Sequence, residues 1–169
     1  MVEYEPRAEI GYEKGLRVIG RFLDSEPSYH VSVLEIADGF AVRSHSSVDR
    51  AEGRSQHFPW DRLRDLVIFQ AAGRGVRARH RRRGEVWDKF PNGHEDFFRA
   101  LGHELDAEQA RSLSLDEIPQ GIAISYMRPK DSGDGSFEKY HTVMGREEIT
   151  SLLEAAQARR GQTPRPAAV

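Results

Sequence analysis

The chain has 169 residues, 38% hydrophobic and 31% charged, with a formal net charge of −2. That composition suffices for a buried core, and no apolar run approaches the roughly 18 residues a spanning helix needs. Cysteine is absent, which excludes disulfides, thiolate nucleophiles and cysteine-held zinc or iron–sulfur sites.

The first ten residues carry Glu3, Glu5, Arg7 and Glu9. A secretory signal would start basic and continue apolar, so residues 1–10 read as a tail and the expected location is cytoplasmic. A helix is predicted from about Tyr12 to Ser25, because Tyr12, Leu16, Ile19 and Leu23 recur on one helical face. Gly20 sits mid-helix beside that face, where glycine costs about 1 kcal/mol against alanine, so close approach of the helix to a sheet is expected there. A hairpin follows. Val31 and Val33 alternate with Ser32 and Leu34, Asp38-Gly39 gives a turn signal, and Phe40 and Val42 resume the alternation. The alternation loses phase between Val33 and Ile36, which predicts a β-bulge near Glu35. A short third strand is expected over about Ser55–Phe58 and a helix over about Trp60–Ala72, with Gly75 as its stop signal.

The same series then returns. Shifted by 82 positions, Gly11–Arg43 lies on Gly93–Ser125 without a gap, and 12 of the 33 pairs are identical. Chance would give roughly two on ordinary residue usage. The identities include Gly11/Gly93, Glu13/Glu95, Arg17/Arg99, Gly20/Gly102, Asp24/Asp106, Glu26/Glu108, Ser32/Ser114 and Glu35/Glu117. At a shift of 86 the match resumes with Leu66/Leu152, Ala72/Ala158, Arg74/Arg160 and Gly75/Gly161. The four extra residues fall in the Asp-, Ser- and Gly-rich loop around Lys130–Ser136, where insertion is least disruptive. The second copy therefore predicts a helix through Phe98, Leu101 and Leu105, a hairpin at Gln120-Gly121, a bulge near Glu117, a strand at Tyr140–Met144 and a helix at Arg146–Arg159 stopped by Gly161.

The expected fold is α+β: a tandem duplication of an α-β-β-β-α unit, with helices packed on one face of antiparallel sheet and a pseudo-twofold axis relating the copies. The division is tail 1–10, repeat 11–75, Arg-rich linker 76–92, repeat 93–161 and a disordered tail 162–169. One such unit has a small core and open sheet edges. Two arrangements would close them: the copies sharing one six-stranded sheet, or pairing with a second chain.

The element order resembles that of the double-stranded RNA-binding domain, and the resemblance stops at element order. That family has a lysine-rich start to its second helix, where this chain has Trp60, Asp61, Arg62 and Leu63, then Arg146, Glu147, Glu148 and Ile149.

The feature most suggestive of a ligand is an arginine tract. Arg74, Arg77, Arg79, Arg81, Arg82 and Arg83 stand with His80 and no acidic residue between them. Guanidinium groups pair phosphates bidentately, so nucleic acid or another polyanion is one reading. A solvated linker, docked by Trp87 and Phe90, is the other. Arg17 with Glu35, and Arg99 with Glu117, are expected to form a structural ion pair in each unit. The histidines at 30, 45, 57, 80, 94, 103 and 141 show no metal-ligand spacing on a helix. Asp131, Asp134 and Gly135 lack the ligand alternation of a calcium loop and predict a hairpin loop. Ser44, His45, Ser46 and Ser47 put a histidine beside hydroxyls, but neighbours on a strand point to opposite faces, so they form no nucleophile–base pair. No catalytic residue, cofactor or metal is expected. The sequence reads as a non-catalytic binding or scaffold protein, with a protein partner or a homodimer, or alternatively as a nucleic-acid-binding protein using residues 74–83.

Overall fold

The computed structural model describes residues 6–49, 52–71 and 88–162. The elements are α1 (Pro6–Asp24), β1 (Tyr29–Ile36), β2 (Gly39–His45), β3 (Gly53–Pro59), α2 (Trp60–Ala71), α3 (His94–Ala107), β4 (Arg111–Ile118), β5 (Gly121–Pro129), β6 (Phe137–Met144) and α4 (Arg146–Gln162). The strands form one six-stranded antiparallel sheet in the order β3-β2-β1-β4-β5-β6, so the fold is α+β and the two sets of strands share a sheet within one chain.

The joint is β1 against β4. It is short, with Ser32 opposite Asp116, Val33 opposite Leu115 and Leu34 opposite Ser114. Inward strand residues Val31, Val33, Phe40, Val42, Leu113, Leu115, Ile122 and Ile124 are all buried, in one core with Leu16, Ile19 and Leu23 of α1 and Phe98, Leu101 and Leu105 of α3. Both helical faces match the expected periodicity. Helix α1 carries a turn from Pro6 ahead of a break at Gly11 (φ 69°), after which the expected helix starts at Tyr12, and Ile10 ahead of the break joins the core.

Helices α1 and α3 approach closely. A Cβ on Gly20 would stand 2.7 Å from the Glu95 Cα, and one on Gly102 would stand 2.6 Å from the Glu13 Cα. Each glycine is therefore a point where one helix backbone rests on the other helix, and not on the sheet as its mid-helix place suggested.

Several local expectations need correction. The two-residue turns are Ala37-Asp38 and Pro119-Gln120, one position earlier than the glycine signal suggested. Gly39 and Gly121 open the next strands, where a Cβ would lie 2.0 Å from the Phe58 carbonyl oxygen and 1.9 Å from that of Met144. Close strand approach thus requires them. The ladders run regularly through Glu35 and Glu117, and the register shifts lie earlier, between Tyr29 and Ser32 and between Arg111 and Ser114. His30 (φ 51°) and Ser112 (φ 57°) take the left-handed conformation at those shifts. The phase appeared lost near Glu35 and Glu117 because a carboxylate occupies an inward position there, where an apolar residue was sought. Gly161 lies inside α4 and does not stop it, and Gly75 lies outside the described residues.

Candidate binding site

The residues singled out as ion pairs sit at the contact between the two halves, with other partners than expected. Arg17 Nε reaches Glu95 Oε1 of α3 at 3.2 Å, and Arg99 Nε stands 3.8 Å from Glu13 Oε1 of α1. The antiparallel helices place each guanidinium beside the acid of its neighbour, one turn from the glycine contact, and away from its own strand. Glu35 and Glu117 serve the backbone instead. Glu35 Oε1 accepts the Leu113 N–H at 3.1 Å and the Tyr12 hydroxyl. Glu117 Oε1 accepts the Val31 N–H at 3.3 Å, and its other oxygen is 3.5 Å from Lys89 Nζ. Both amides belong to residues beside the irregularities, where the ladder leaves a buried donor that needs a partner.

The helix termini are capped across the same contact. Asp106 accepts the Tyr12 and Glu13 amides at 2.8 and 3.0 Å, where Gly11 (φ 69°) breaks α1. Asp24 accepts the His94 and Glu95 amides at 2.8 and 3.0 Å, just after Gly93 (φ 91°). A carboxylate on free N-terminal amides is favourable through hydrogen bonding and the helix dipole. Burial pushes the Asp24 carboxyl up, but hydrogen bonds from the His94 ring and the two amides outweigh it and hold Asp24 below the ordinary aspartate value.

Phe90 is buried and stacks on His94 at 4.3 Å, so the chain is anchored where it leaves the linker. The tract Arg74, Arg77, Arg79, Arg81, Arg82 and Arg83 lies outside the described residues, as does Trp87.

Among the described residues, three surfaces could hold a ligand. The first is the sheet face opposite the core, where β1 presents Ser32 and Leu34, β2 presents Ala41 and Arg43, β4 presents Ser114 and Asp116, and β5 presents Ala123 and Ser125. Leu34 is 50% exposed in the middle of the sheet, between Ala41 and Ser114. Val143 is 43% exposed beside Ala123.

No family model, curated protein or solved structure matches this chain.

The second surface is a cleft of about 300 Å³ bounded by Glu13, Asp96, Arg99, His103, Arg159 and Arg160. Its charges answer one another: His103 faces Glu13 at 3.4 Å, Arg160 faces Asp96 at 3.7 Å, and Arg159 reaches Glu104 at 3.4 Å. An incoming anion would have to displace these carboxylates. The third is a cleft of about 310 Å³ at the end of α1, over β2 and β3, lined by Phe22, Glu26, Val42, Ser44, Arg54, Ser55 and Gln56. Sequence reasoning passed over it, having weighed Ser44 only as a hydroxyl beside His45. The available signal was the pairing of Ser44 with Tyr126 at the shift of 82, a small residue against a large one just past the gapless block. Among the described residues, no three His, Asp or Glu side chains are grouped to hold a metal ion, and no helix is long and apolar enough to cross a membrane.

Proposed function

We propose that the chain is a non-catalytic binding protein, a tandem duplication of one α-β-β-β-α unit (11–75 and 93–161, joined by 76–92) that offers its helix-free sheet face to a protein partner. The duplication is supported by reciprocal contacts at a constant offset of 82. Asp24 and Asp106 cap each other's helices, and Gly20 and Gly102 each rest on the opposite backbone. Glu35 and Glu117 exchange the amides of residues 113 and 31. Val33 lies opposite its own counterpart Leu115, as a twofold through that pair requires.

The observation that carries the binding role is the character of the open face. Small side chains surround a half-exposed Leu34 at a central strand, where a partner could approach the backbone closely and bury apolar area. A photo-crosslinking amino acid at Leu34, with a control at exposed Glu154 of α4, tests this in cells expressing the full chain. One or a few discrete protein adducts from position 34 alone are expected, and the same adduct pattern from both positions would overturn the reading. Self-association through this face would appear as a crosslinked dimer.

A second reading rests on the arginine tract, whose six guanidiniums have no intervening acid. It predicts RNA or DNA binding that falls steeply with salt, with a log–log slope of roughly −5 if all six met phosphates. Replacing Arg79, Arg81, Arg82 and Arg83 by Gln should abolish that binding, and absence of binding by the intact chain at low salt would end the reading.

A further inference from the structure

We infer that the cleft between Phe22, Val42, Ser44 and Arg54 is a receptor for a tyrosine side chain presented by a partner polypeptide. The inference rests on the duplication proposed above and extends it to a site in which the two halves differ.

In the second half the equivalent space is filled from within. Tyr126 stands opposite Tyr140 on the β5–β6 ladder, as Ser44 stands opposite Arg54 on the β2–β3 ladder. Both Tyr126 and Ser44 are buried and point toward the helices. The Tyr126 ring lies 5.3 Å from that of Tyr140, and its hydroxyl donates to Glu108 at the end of α3. In the first half, Glu26 occupies the place of Glu108 at the end of α1, but no ring grows from position 44 to meet it. What remains is the cleft of about 310 Å³, with Phe22 and Val42 as apolar lining and Glu26 at its rim. That volume is at the small end of ligand pockets, suited to one side chain.

The chemistry selects a phenol over a plain aromatic ring. The ring would bury apolar area against Phe22 and Val42. The hydroxyl would donate to Glu26, as Tyr126 donates to Glu108. Arg54 pairs with Glu26 and donates to the Pro27 carbonyl at 2.6 Å, so the acceptor is held in place. Arg54 also lines the cleft, and its Nε is buried with no hydrogen-bond partner, a donor left without an acceptor at this site.

The test is a titration of the full ¹⁵N-labelled chain with p-cresol, toluene and N-acetyl-tyrosinamide, followed by amide chemical shifts. Saturable shifts at Phe22, Val42, Ser44 and Gln56 are expected in about the millimolar range for such small probes. Toluene should bind roughly tenfold more weakly, having no hydrogen bond to a charged group. Ser44→Tyr should supply the ring internally, abolish the p-cresol shifts and melt at or above wild type. Glu26→Gln, at an exposed position, should narrow the preference for p-cresol over toluene. Absence of p-cresol shifts in wild type, or shifts that persist in Ser44→Tyr, overturns the receptor. If Ser44→Tyr folds normally in that case, the equivalence of the halves survives. A Ser44→Tyr chain that melts far below wild type would instead overturn the equivalence, and with it both readings.

Discussion

Replacing Gly102 by Ala sets two effects of opposite sign against each other. In an isolated helix the change would stabilise by about 1 kcal/mol, since alanine has the higher helix propensity. Here the new methyl carbon would stand 2.6 Å from the Tyr12 carbonyl oxygen and the Glu13 Cα, and 2.7 Å from the Glu13 nitrogen. All three are backbone atoms of α1, so no rotamer change can relieve the contact. The helices must separate by most of an ångström, which loosens the packing of Leu16, Ile19, Leu101 and Leu105 and strains the Asp24 and Asp106 caps. Overpacking of this kind costs about 1–3 kcal/mol, and the rigid neighbours place this case at the upper end. After the propensity gain, a net loss of about 1–2 kcal/mol is expected. Urea denaturation of Gly102→Ala, with Gly161→Ala as control, measures it. Gly161 lies in α4 with nothing within 4 Å of its would-be Cβ, so there alanine should be neutral or stabilising. If Gly102→Ala were as stable as that control, the account of the helix contact would be refuted.

Other perturbations of the same joint give separate readings. Asp24→Ala removes the cap of α3 and should cost about 1–2 kcal/mol at neutral pH, measured by thermal or urea unfolding. Because the folded Asp24 is held below its ordinary value, its contribution is fully present above the unfolded pKa of about 4 and is lost as pH falls through the lower folded value. Asp24→Ala should therefore flatten part of the acid limb of the stability–pH curve, and an unchanged limb would contradict the assignment. Glu35→Ala leaves the Leu113 amide and the Tyr12 hydroxyl without this acceptor and should cost about 1–3 kcal/mol; an unchanged midpoint would show that neither bond matters. Leu34→Ser should shift stability by no more than about 0.5 kcal/mol, since the side chain is half exposed, while any partner contact through the open face should be lost.

The element order and the helical faces were legible because both rest on spacing within a few residues. Leu16, Ile19 and Leu23 declare one face of α1 without knowledge of anything outside the helix, and Gly20 pointed to a close approach that its position alone attributed to the sheet. What pressed was the other helix, and sequence spacing carries no information about distant partners. The same limit explains the ion pairs. Arg17 and Glu35 were joined because each recurs in the second half, yet the recurrence arises from contacts between halves, with Arg17 reaching Glu95 and Glu35 reaching the Leu113 amide. Glu35 and Glu117 were also misread as bulges, since a period-two pattern cannot distinguish an extra residue from a polar residue facing inward. The glycine of Asp38-Gly39 suggested a turn, whereas its use is to let the Phe58 carbonyl approach. A glycine signals a backbone need, and only the fold tells which one.

On the duplication reading, the positions at which the halves agree and differ sort themselves by role. Gly20, Asp24, Arg17, Glu35 and their counterparts all lie where one half touches the other. A self-complementary contact requires both copies to keep the same residue, because each serves the other's backbone. Away from that joint agreement answers needs within each half, as at Gly39 and Gly121, and divergence elsewhere leaves a choice open. At positions 44 and 126 the outcomes are opposite: Tyr126 closes its half with a ring bonded to Glu108, while Ser44 leaves a cleft and Glu26 at its rim. The cleft is open to water, so an aromatic ring entering it would remove the Phe22 and Val42 surface from solvent. The walls differ, with Phe22 and Arg54 where the other half has Glu104 and Tyr140, but the acid that accepts a phenol hydroxyl, Glu26 or Glu108, stands in both. The sheet face offers area, whereas the cleft offers a shape for which Tyr126 and Glu108 supply the pattern.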